Sequence, residues 1–112
     1  MGLDAEAAVC EELIRRGWRV VARRYVGHGA EIDVIAVNAD ALRFIEVKAR
    51  SSSDGLEAVD DLKVARLSGA ADAWLDANPG DWTDIAFAIA IVAPDDGAWS
   101  ITWLDDAFDG TR

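Results

Sequence analysis

The chain has 112 residues, a formal net charge of −10 at pH 7, and hydrophobic residues at 52% of its positions. This length suits one domain, residues 1–112, with a core of its own, and the hydrophobic content excludes a disordered chain. The longest apolar run, residues 85–93, is about half as long as a membrane-spanning helix, and the N-terminus lacks a signal-peptide pattern. The single cysteine excludes an intramolecular disulfide, so we expect a cytoplasmic protein.

The negative charge is concentrated in the second half of the sequence. Residues 1–50 hold 8 basic and 8 acidic residues, whereas residues 51–112 hold 3 and 13. Proteins that bind nucleic acid usually carry a basic surface, because neutralisation of phosphates supplies much of the affinity. The composition therefore argues against tight, sequence-independent binding, and any nucleic acid is expected to bind weakly.

Hydrophobic periodicity predicts the element order α-β-β-β-α-β-β. The first helix covers about residues 3–16 and ends at Gly17, which suits a left-handed C-cap. The predicted strands are residues 18–25, 31–37, 44–48, 84–93 and 98–103, and the second helix runs from residue 56 to about residue 77. Turn-forming residues separate these elements at 26–29, 38–40 and 94–97.

Two of the predicted strands carry charged residues where a core strand would normally be apolar. Side chains alternate along a strand, so Glu31 and Asp33 are expected on one face, as are Glu46 and Lys48. A short turn between the strands could bring these faces together. Buried carboxylates are costly unless they are paired or bound to a cation, and oxygen ligands of this kind suit Mg²⁺. The pattern therefore indicates a candidate site.

Each predicted helix adds one charged residue to this set. Glu6 lies in line with Cys10 and Leu13 on the apolar stripe of the first helix, and Lys63 lies in the middle of the second helix's apolar face. Spacing alone leaves two interpretations open for each residue. Glu6 is either a solvated acid near a helix N-terminus or a site residue, and Lys63 either extends its ammonium into water or reaches the acids.

Asp33, followed thirteen positions later by Glu46-Val-Lys48, resembles the catalytic core of the PD-(D/E)XK nuclease superfamily. The ordered set of segments is most similar to the YraN-like family of small predicted endonucleases. The segments that carry this resemblance are Glu6, Glu31-Ile-Asp33-Val-Ile35, Phe44-Ile-Glu46-Val-Lys48-Ala-Arg50 and Val59-Asp-Asp-Leu-Lys63-Val-Ala-Arg66-Leu67. Ala30 departs from the family pattern, which has Gly before the acidic strand.

The resemblance implies a restriction-endonuclease-like fold, in which helices flank a mixed β-sheet. It implies a metal-dependent endonuclease that hydrolyses phosphodiester bonds of DNA or another nucleic acid. Asp33, Glu46 and the backbone carbonyl of Val47 would hold Mg²⁺ or Mn²⁺, and Glu6 is a further candidate ligand.

The resemblance also implies roles for the basic residues of these segments. Lys48 would orient the attacking water and stabilise charge on the phosphate oxygens. Lys63 would act in the active site and contact substrate phosphate, and Arg50 and Arg66 complete the predicted substrate-binding set.

Two other functions remain open from the sequence. One is a non-catalytic module that keeps the nuclease fold, with the acids and Lys48 forming a buried ion network and with nucleic acid or protein as its ligand. The other is an acidic adaptor that binds a protein partner, or a second copy of the chain, through the Trp-bearing C-terminal region. His28 is interpreted as a surface loop residue and Cys10 as a packing residue. Trp99, Ile101 and Trp103 share one strand face and are expected to pack in the core or at an interface.

Overall fold

The computed structural model describes the backbone of residues 2–49 and 61–105, and the side chains of residues 5–49 and 67–104. Its elements, in chain order, are α1 (Gly2–Arg15), β1 (Arg19–Gly27), β2 (Ala30–Asn38), β3 (Ala41–Ala49), α2 (Asp61–Ala77), β4 (Asp84–Asp95) and β5 (Ala98–Asp105). The predicted order α-β-β-β-α-β-β is therefore confirmed, with boundaries that differ by a few residues. The predicted first part of the second helix, residues 56–60, lies outside the described residues.

The five strands form one mixed sheet in the order β1-β2-β3-β4-β5. Strands β3 and β4 are parallel, and the other neighbouring strands are antiparallel. A parallel pair needs a long crossover connection, and α2 lies within the segment that connects β3 to β4. The antiparallel pairs need only short turns, which is why the remaining strands follow one another closely in sequence.

Each face of the sheet has its own apolar cluster and its own helix. The cluster under α1 contains Ala5, Val9, Leu13, Val34, Ala36, Ile45, Ala88, Ala90 and Val92. The cluster under α2 contains Ile32, Ile35, Val37, Leu42, Phe44, Leu67, Ala70, Ala71, Trp74, Phe87, Ile89 and Ile91. Because β4 is covered on both faces, its sequence is a continuous apolar run from Ile85 to Ala93. We refer to these two sides of the sheet as the α1 face and the α2 face.

Gly17 ends α1 as the sequence predicts. Its φ is 91°, in the left-handed region that glycine adopts without strain. The Gly17 N–H donates to the Ile14 carbonyl at 3.0 Å and the Trp18 N–H donates to the Leu13 carbonyl at 2.9 Å, which is the Schellman pattern. The last carbonyls of the helix are thereby satisfied, and the chain turns directly into β1.

The hairpin between β4 and β5 is tighter than the sequence predicts. Its turn consists of Asp96 and Gly97, both with positive φ. Pro94, which the sequence placed in the turn, therefore belongs to β4. Pro94 has no N–H to donate, and it is tolerated because the pairing of β4 with β3 ends at Val92, opposite Ala49.

In the part of the chain that the structure describes, no helix has both the length and the apolar content required to cross a membrane.

Gly27 provides a test of the packing between β1 and α2. A Cβ added at this position would lie 2.9 Å from the Cβ of Ala73, closer than real Cβ atoms approach. We therefore expect Gly27→Ala to lower the free energy of unfolding by about 1–3 kcal/mol, measured by urea denaturation. The Gly27→Ala/Ala73→Gly double variant should recover part of that loss. Additive effects of the two substitutions would contradict a steric origin.

Candidate functional site

The regular alternation of side chains breaks at Asp33. Ile32 packs in the cluster on the α2 face, whereas Val34, two residues later, packs in the cluster on the α1 face. In an unbroken strand these two side chains would share a face. The alternation of side chains is therefore interrupted next to Asp33. The shared face predicted for Glu31 and Asp33 assumed that this alternation was unbroken.

A matching irregularity lies in β1 beside Asp33. Arg23 pairs with Val34 and Tyr25 pairs with Ile32, and between these pairs Arg24 has a φ of 54°. A positive φ is uncommon for a residue other than glycine and indicates local strain or a functional constraint. Both strands are therefore irregular at the same level of the sheet.

The Asp33 side chain replaces a backbone partner of β3. The register between β2 and β3 ends at Val34 opposite Ile45. Beyond that pair, the Val47 N–H donates a hydrogen bond of 2.8 Å to Oδ2 of Asp33. A buried backbone N–H needs an acceptor, and the carboxylate provides one where the strand ladder has stopped. This bond fixes the Asp33 carboxylate next to the residues that follow Glu46.

Glu46 and Lys48 form an ion pair on β3. Lys48 Nζ lies 2.9 Å from Oε2 of Glu46, as expected for residues two apart on one strand face. Glu46 is only 7% exposed, and it borders a small pocket with Phe44, Leu67 and Phe87 on the α2 face. Its charge is therefore held in largely apolar surroundings by a lysine that remains partly exposed.

Burial raises the pKa of Asp33 from 3.8 to about 6. The hydrogen bond from Val47 acts in the opposite direction, while the nearby charges of Glu46, Glu6 and Glu31 raise the pKa further. Each of these three acids therefore lies within electrostatic reach of Asp33. The ionised form of Asp33 is thus disfavoured without a cation, which is a property of many functional carboxylates.

Glu6 extends from α1 toward Asp33 and is held by two arginines of β1. We refer to Asp33, Glu46 and Glu6 as the acid cluster. It is 8% exposed, and its Oε1 accepts hydrogen bonds from Arg23 Nη2 at 3.2 Å and from Arg24 Nε at 3.4 Å. Of the two interpretations left open by the sequence, the solvated acid is therefore wrong. A role for Glu6 as a metal ligand stays a prediction.

The donor atoms fit a hard divalent cation in part. Asp33 and Glu46 supply carboxylate oxygens, and Val47, the residue directly after Glu46, supplies a backbone carbonyl. Mg²⁺ commonly binds through one or two carboxylates, retained waters and substrate phosphate. Among the residues whose side chains are described, no group of three His, Cys, Asp or Glu residues could hold a metal ion. Asp33, Glu46 and Glu6 therefore do not form a complete ligand set by themselves.

Three of the predicted site residues cannot be located relative to this cluster. Arg50 lies outside the described residues, and the side chains of Lys63 and Arg66 lie outside them although both residues belong to α2. Lys63 precedes the buried Leu67 by four residues, one helical turn. The predicted approach of its ammonium to Asp33 and Glu46 stays a prediction.

The other residues considered from the sequence are either exposed or packed against the cluster on the α1 face. His28 is exposed in the turn between β1 and β2, and Glu31 is exposed on β2. Cys10 packs against the cluster on the α1 face, where burial raises the pKa of its thiol. Trp99, Ile101 and Trp103 are partly buried against the same cluster. Their strand face is thus occupied by intramolecular packing, and a partner at this region stays a prediction.

The sequence did not identify Arg23 and Arg24 as partners of Glu6. Consecutive residues in a regular strand point to opposite faces, so no periodicity rule would direct both at one oxygen. The left-handed backbone of Arg24 makes that convergence possible, and no glycine or asparagine at this position signals it. The only available signal was the adjacency of two arginines in a strand without acidic residues.

The fold of this chain is shared with a protein of known structure. A Holliday junction resolvase, Hjc from Archaeoglobus fulgidus, superimposes with a TM-score of 0.57 at 19% sequence identity, covering 94% of this chain and 88% of the resolvase. The likeness confirms the predicted architecture, a mixed sheet with helices on its two faces.

The chain belongs to the uncharacterised protein family UPF0102, whose model matches residues 5–93. This is the YraN-like family indicated by the sequence motifs. A UPF0102 protein of Rhodopseudomonas palustris is 36% identical, over 98% of this chain and 84% of the relative. A second, from Bradyrhizobium, is 40% identical over 83% of this chain and 70% of the relative.

The raised pKa of Asp33 predicts a stability difference that depends on pH. Between about pH 4 and pH 6 the folded protein holds the Asp33 proton more tightly than the unfolded chain, so stability falls as pH rises through this window. Asp33→Asn keeps an acceptor for the Val47 N–H and removes the charge. We expect equal stabilities of the variant and the wild type near pH 4, and a variant more stable by about 1 kcal/mol at pH 8 after allowance for solvent screening.

Urea denaturation of both proteins across this pH range tests the expectation. Asp72→Asn, an exposed substitution on α2 with the same change in charge, serves as the control. A loss of stability at pH 8 in Asp33→Asn alone would show that the ionised carboxylate is stabilised in the folded protein.

Proposed function

We propose that the protein is a metal-dependent nuclease that hydrolyses phosphodiester bonds of DNA or another nucleic acid. The observation that carries the proposal is the hydrogen bond from Val47 to Asp33, which holds a partly buried carboxylate beside the Glu46–Lys48 ion pair. Two carboxylates and a lysine at one end of paired strands suit the chemistry of phosphate hydrolysis. The shared fold with a Holliday junction resolvase supports the same class of substrate.

Asp33, Glu46 and the carbonyl of Val47 are the proposed holders of Mg²⁺ or Mn²⁺. When bound, such a cation acts as a Lewis acid and lowers the pKa of a coordinated water. Asp33 and Glu46 position the cation through their oxygens, and the Val47–Asp33 bond limits the movement of one of them. Burial raises the pKa of Asp33 and the charge of Glu46 raises it further, and both effects favour a cation at this position.

Lys48 has a separate proposed role. Its ammonium neutralises Glu46 in the free protein and is partly exposed, with a side-chain accessibility of 24%. An ammonium at this position can donate to a water or to a phosphate oxygen, orienting the nucleophile and stabilising developing negative charge. Lys63, Arg50 and Arg66 are the proposed additional contacts to substrate phosphates.

One observation favours a second candidate function, a non-catalytic module with a structural ion network. The Glu46–Lys48 distance of 2.9 Å is what such a network requires, and Glu6 also has cationic partners. In this alternative the charged residues pair for structural reasons, and the module binds nucleic acid or protein without cleaving it. The two experiments below separate the alternatives.

Cleavage assays test the catalytic proposal directly. We expect Mg²⁺- or Mn²⁺-dependent cleavage of duplex, single-stranded or branched DNA that EDTA abolishes. Glu46→Gln and Lys48→Ala should each reduce the rate by about 100-fold or more, because the first removes a proposed metal ligand and the second a cation proposed to stabilise charge on the phosphate. Circular dichroism should show an unchanged fold, and Asp72→Asn should cleave at the wild-type rate. Cleavage that persists in EDTA would remove the metal mechanism.

Thermal unfolding with metal tests the proposed ligands without relying on activity. A ligand that binds only the native state adds about 2.7 kcal/mol when it is a hundredfold above its dissociation constant. For a domain of this size that is a rise of several degrees in Tm, which Asp33→Asn should lack. The measurement should be repeated with a short oligonucleotide, since substrate phosphate can complete the ligand set. A wild-type protein without a metal-induced shift in either condition would favour the ion network.

A further inference from the structure

Arg23 and Arg24 form an unusual pair of cations next to the candidate site. Both guanidinium groups donate to the same oxygen of Glu6, and both side chains remain substantially exposed, at 41% and 50%. A guanidinium has five N–H donors, so one shared carboxylate oxygen uses only a small part of what the pair can donate. The two cations therefore present a surface with unused capacity for an anion.

The contacts to Glu6 are longer than those typical of strong ion pairs. Charge-assisted N–H···O bonds usually measure about 2.7–2.9 Å, whereas these measure 3.2 and 3.4 Å. The pair formed by Glu12 of α1 and Arg16, the residue that follows this helix, measures 2.7 Å. The Glu6 carboxylate is thus held loosely, although burial makes an unpaired charge at this position costly.

The surrounding charge favours an anion over other ligands. Residues 17–30, which include all of β1, contain three arginines and one histidine and no acidic residue. Arg19, Arg23 and Arg24 are all exposed on this edge strand. This basic strand contrasts with a chain whose net charge is −10. It lies beside Asp33, since Arg23 pairs with Val34 in the register of β1 and β2.

We propose that Arg23 and Arg24 form a phosphodiester-binding site that the Glu6 carboxylate occupies in the free protein and that a substrate phosphate takes over. Two guanidinium groups with exposed donors match the non-bridging oxygens of a phosphodiester. The choice of nucleic-acid phosphate as the anion rests on the proposed function.

The exchange links substrate binding to the acid cluster. Glu6 is close enough to Asp33 for its charge to raise the pKa of that residue. A phosphate that takes the arginines releases the Glu6 carboxylate next to Asp33. Nucleic-acid binding would then make the Glu6 carboxylate available as a third acidic ligand beside Asp33 and Glu46. In the free protein no set of three acids among the described side chains could hold a metal ion.

The chain offers a matched control for this exchange. Glu12, also on α1, is paired with two exposed arginines, Arg15 and Arg16. These three residues are not among the charges that affect the pKa of Asp33. Glu12→Gln and Glu6→Gln change the net charge equally, and each frees two guanidinium groups. Only Glu6→Gln removes the competitor from the proposed phosphate site.

Fluorescence anisotropy with a short labelled DNA duplex, in EDTA at low salt, measures binding without metal or cleavage. We expect Glu6→Gln to tighten binding about tenfold, the effect of removing a competing charge-assisted hydrogen bond. Glu12→Gln should tighten binding much less. The triple variant Glu6→Gln/Arg23→Gln/Arg24→Gln leaves no buried charge unpaired, and it should bind more weakly than the wild type.

Equal effects of Glu6→Gln and Glu12→Gln would overturn the proposal, as would a triple variant that binds as tightly as Glu6→Gln. Absence of binding by every variant would also overturn it. The outcome is separable from the cleavage test. If the variants bind DNA in the expected order but the protein never cuts DNA, the exchange is supported and the nuclease function is contradicted. If the protein cuts DNA but Glu6→Gln leaves DNA binding unchanged, the nuclease function is supported and the exchange is contradicted.

Discussion

The hydrogen bond between the Val47 N–H and the Asp33 carboxylate is the contact on which the candidate site depends. Strands β2 and β3 stop pairing at Val34 and Ile45, which would leave the next inward amide of β3 without a partner. The aspartate supplies the acceptor and is held in return, beside a glutamate of the neighbouring strand. A single interaction thus satisfies a backbone group, orients a carboxylate and keeps two acids near each other despite their repulsion.

The distribution of buried charge separates this region from the rest of the core. Among the side chains that the structure describes, the buried polar or charged residues are Glu6 and Glu46, and both belong to this cluster. Each is compensated by cations that remain partly in solvent, two arginines for Glu6 and a lysine for Glu46. Because the compensating groups are accessible, an incoming anion can compete for them without unfolding any part of the apolar core.

The sequence predicted the architecture well because that architecture follows from short-range patterns. Helical and strand periodicity, the glycine after α1, and the turn residues are local signals, and the structure confirms the element order they indicate. Boundaries differed where pairing partners decide them, as at Pro94, which belongs to β4 because it pairs with Trp99 of β5.

The site was only partly predictable, because its geometry departs from those local patterns. The pairing of Glu46 with Lys48 follows from alternation along one strand. The arrangement of Arg23 and Arg24 around Glu6 does not, since it needs a left-handed residue in β1 and a break in β2 that no residue type announces. Long-range pairing between strands, rather than composition, decides which neighbours an irregular residue meets.

The irregular geometry of β1 also affects how the protein behaves in a crowded solution. This strand is an outer edge of the sheet, and Val21 and Val26 are 38% and 63% exposed on it. A flat edge with exposed valines would invite another chain to extend the sheet and aggregate. The bulge between Val20 and Ala22, the left-handed Arg24 and the charged arginines interrupt that edge. The distortion that accompanies the candidate site therefore also protects the sheet against edge-to-edge association.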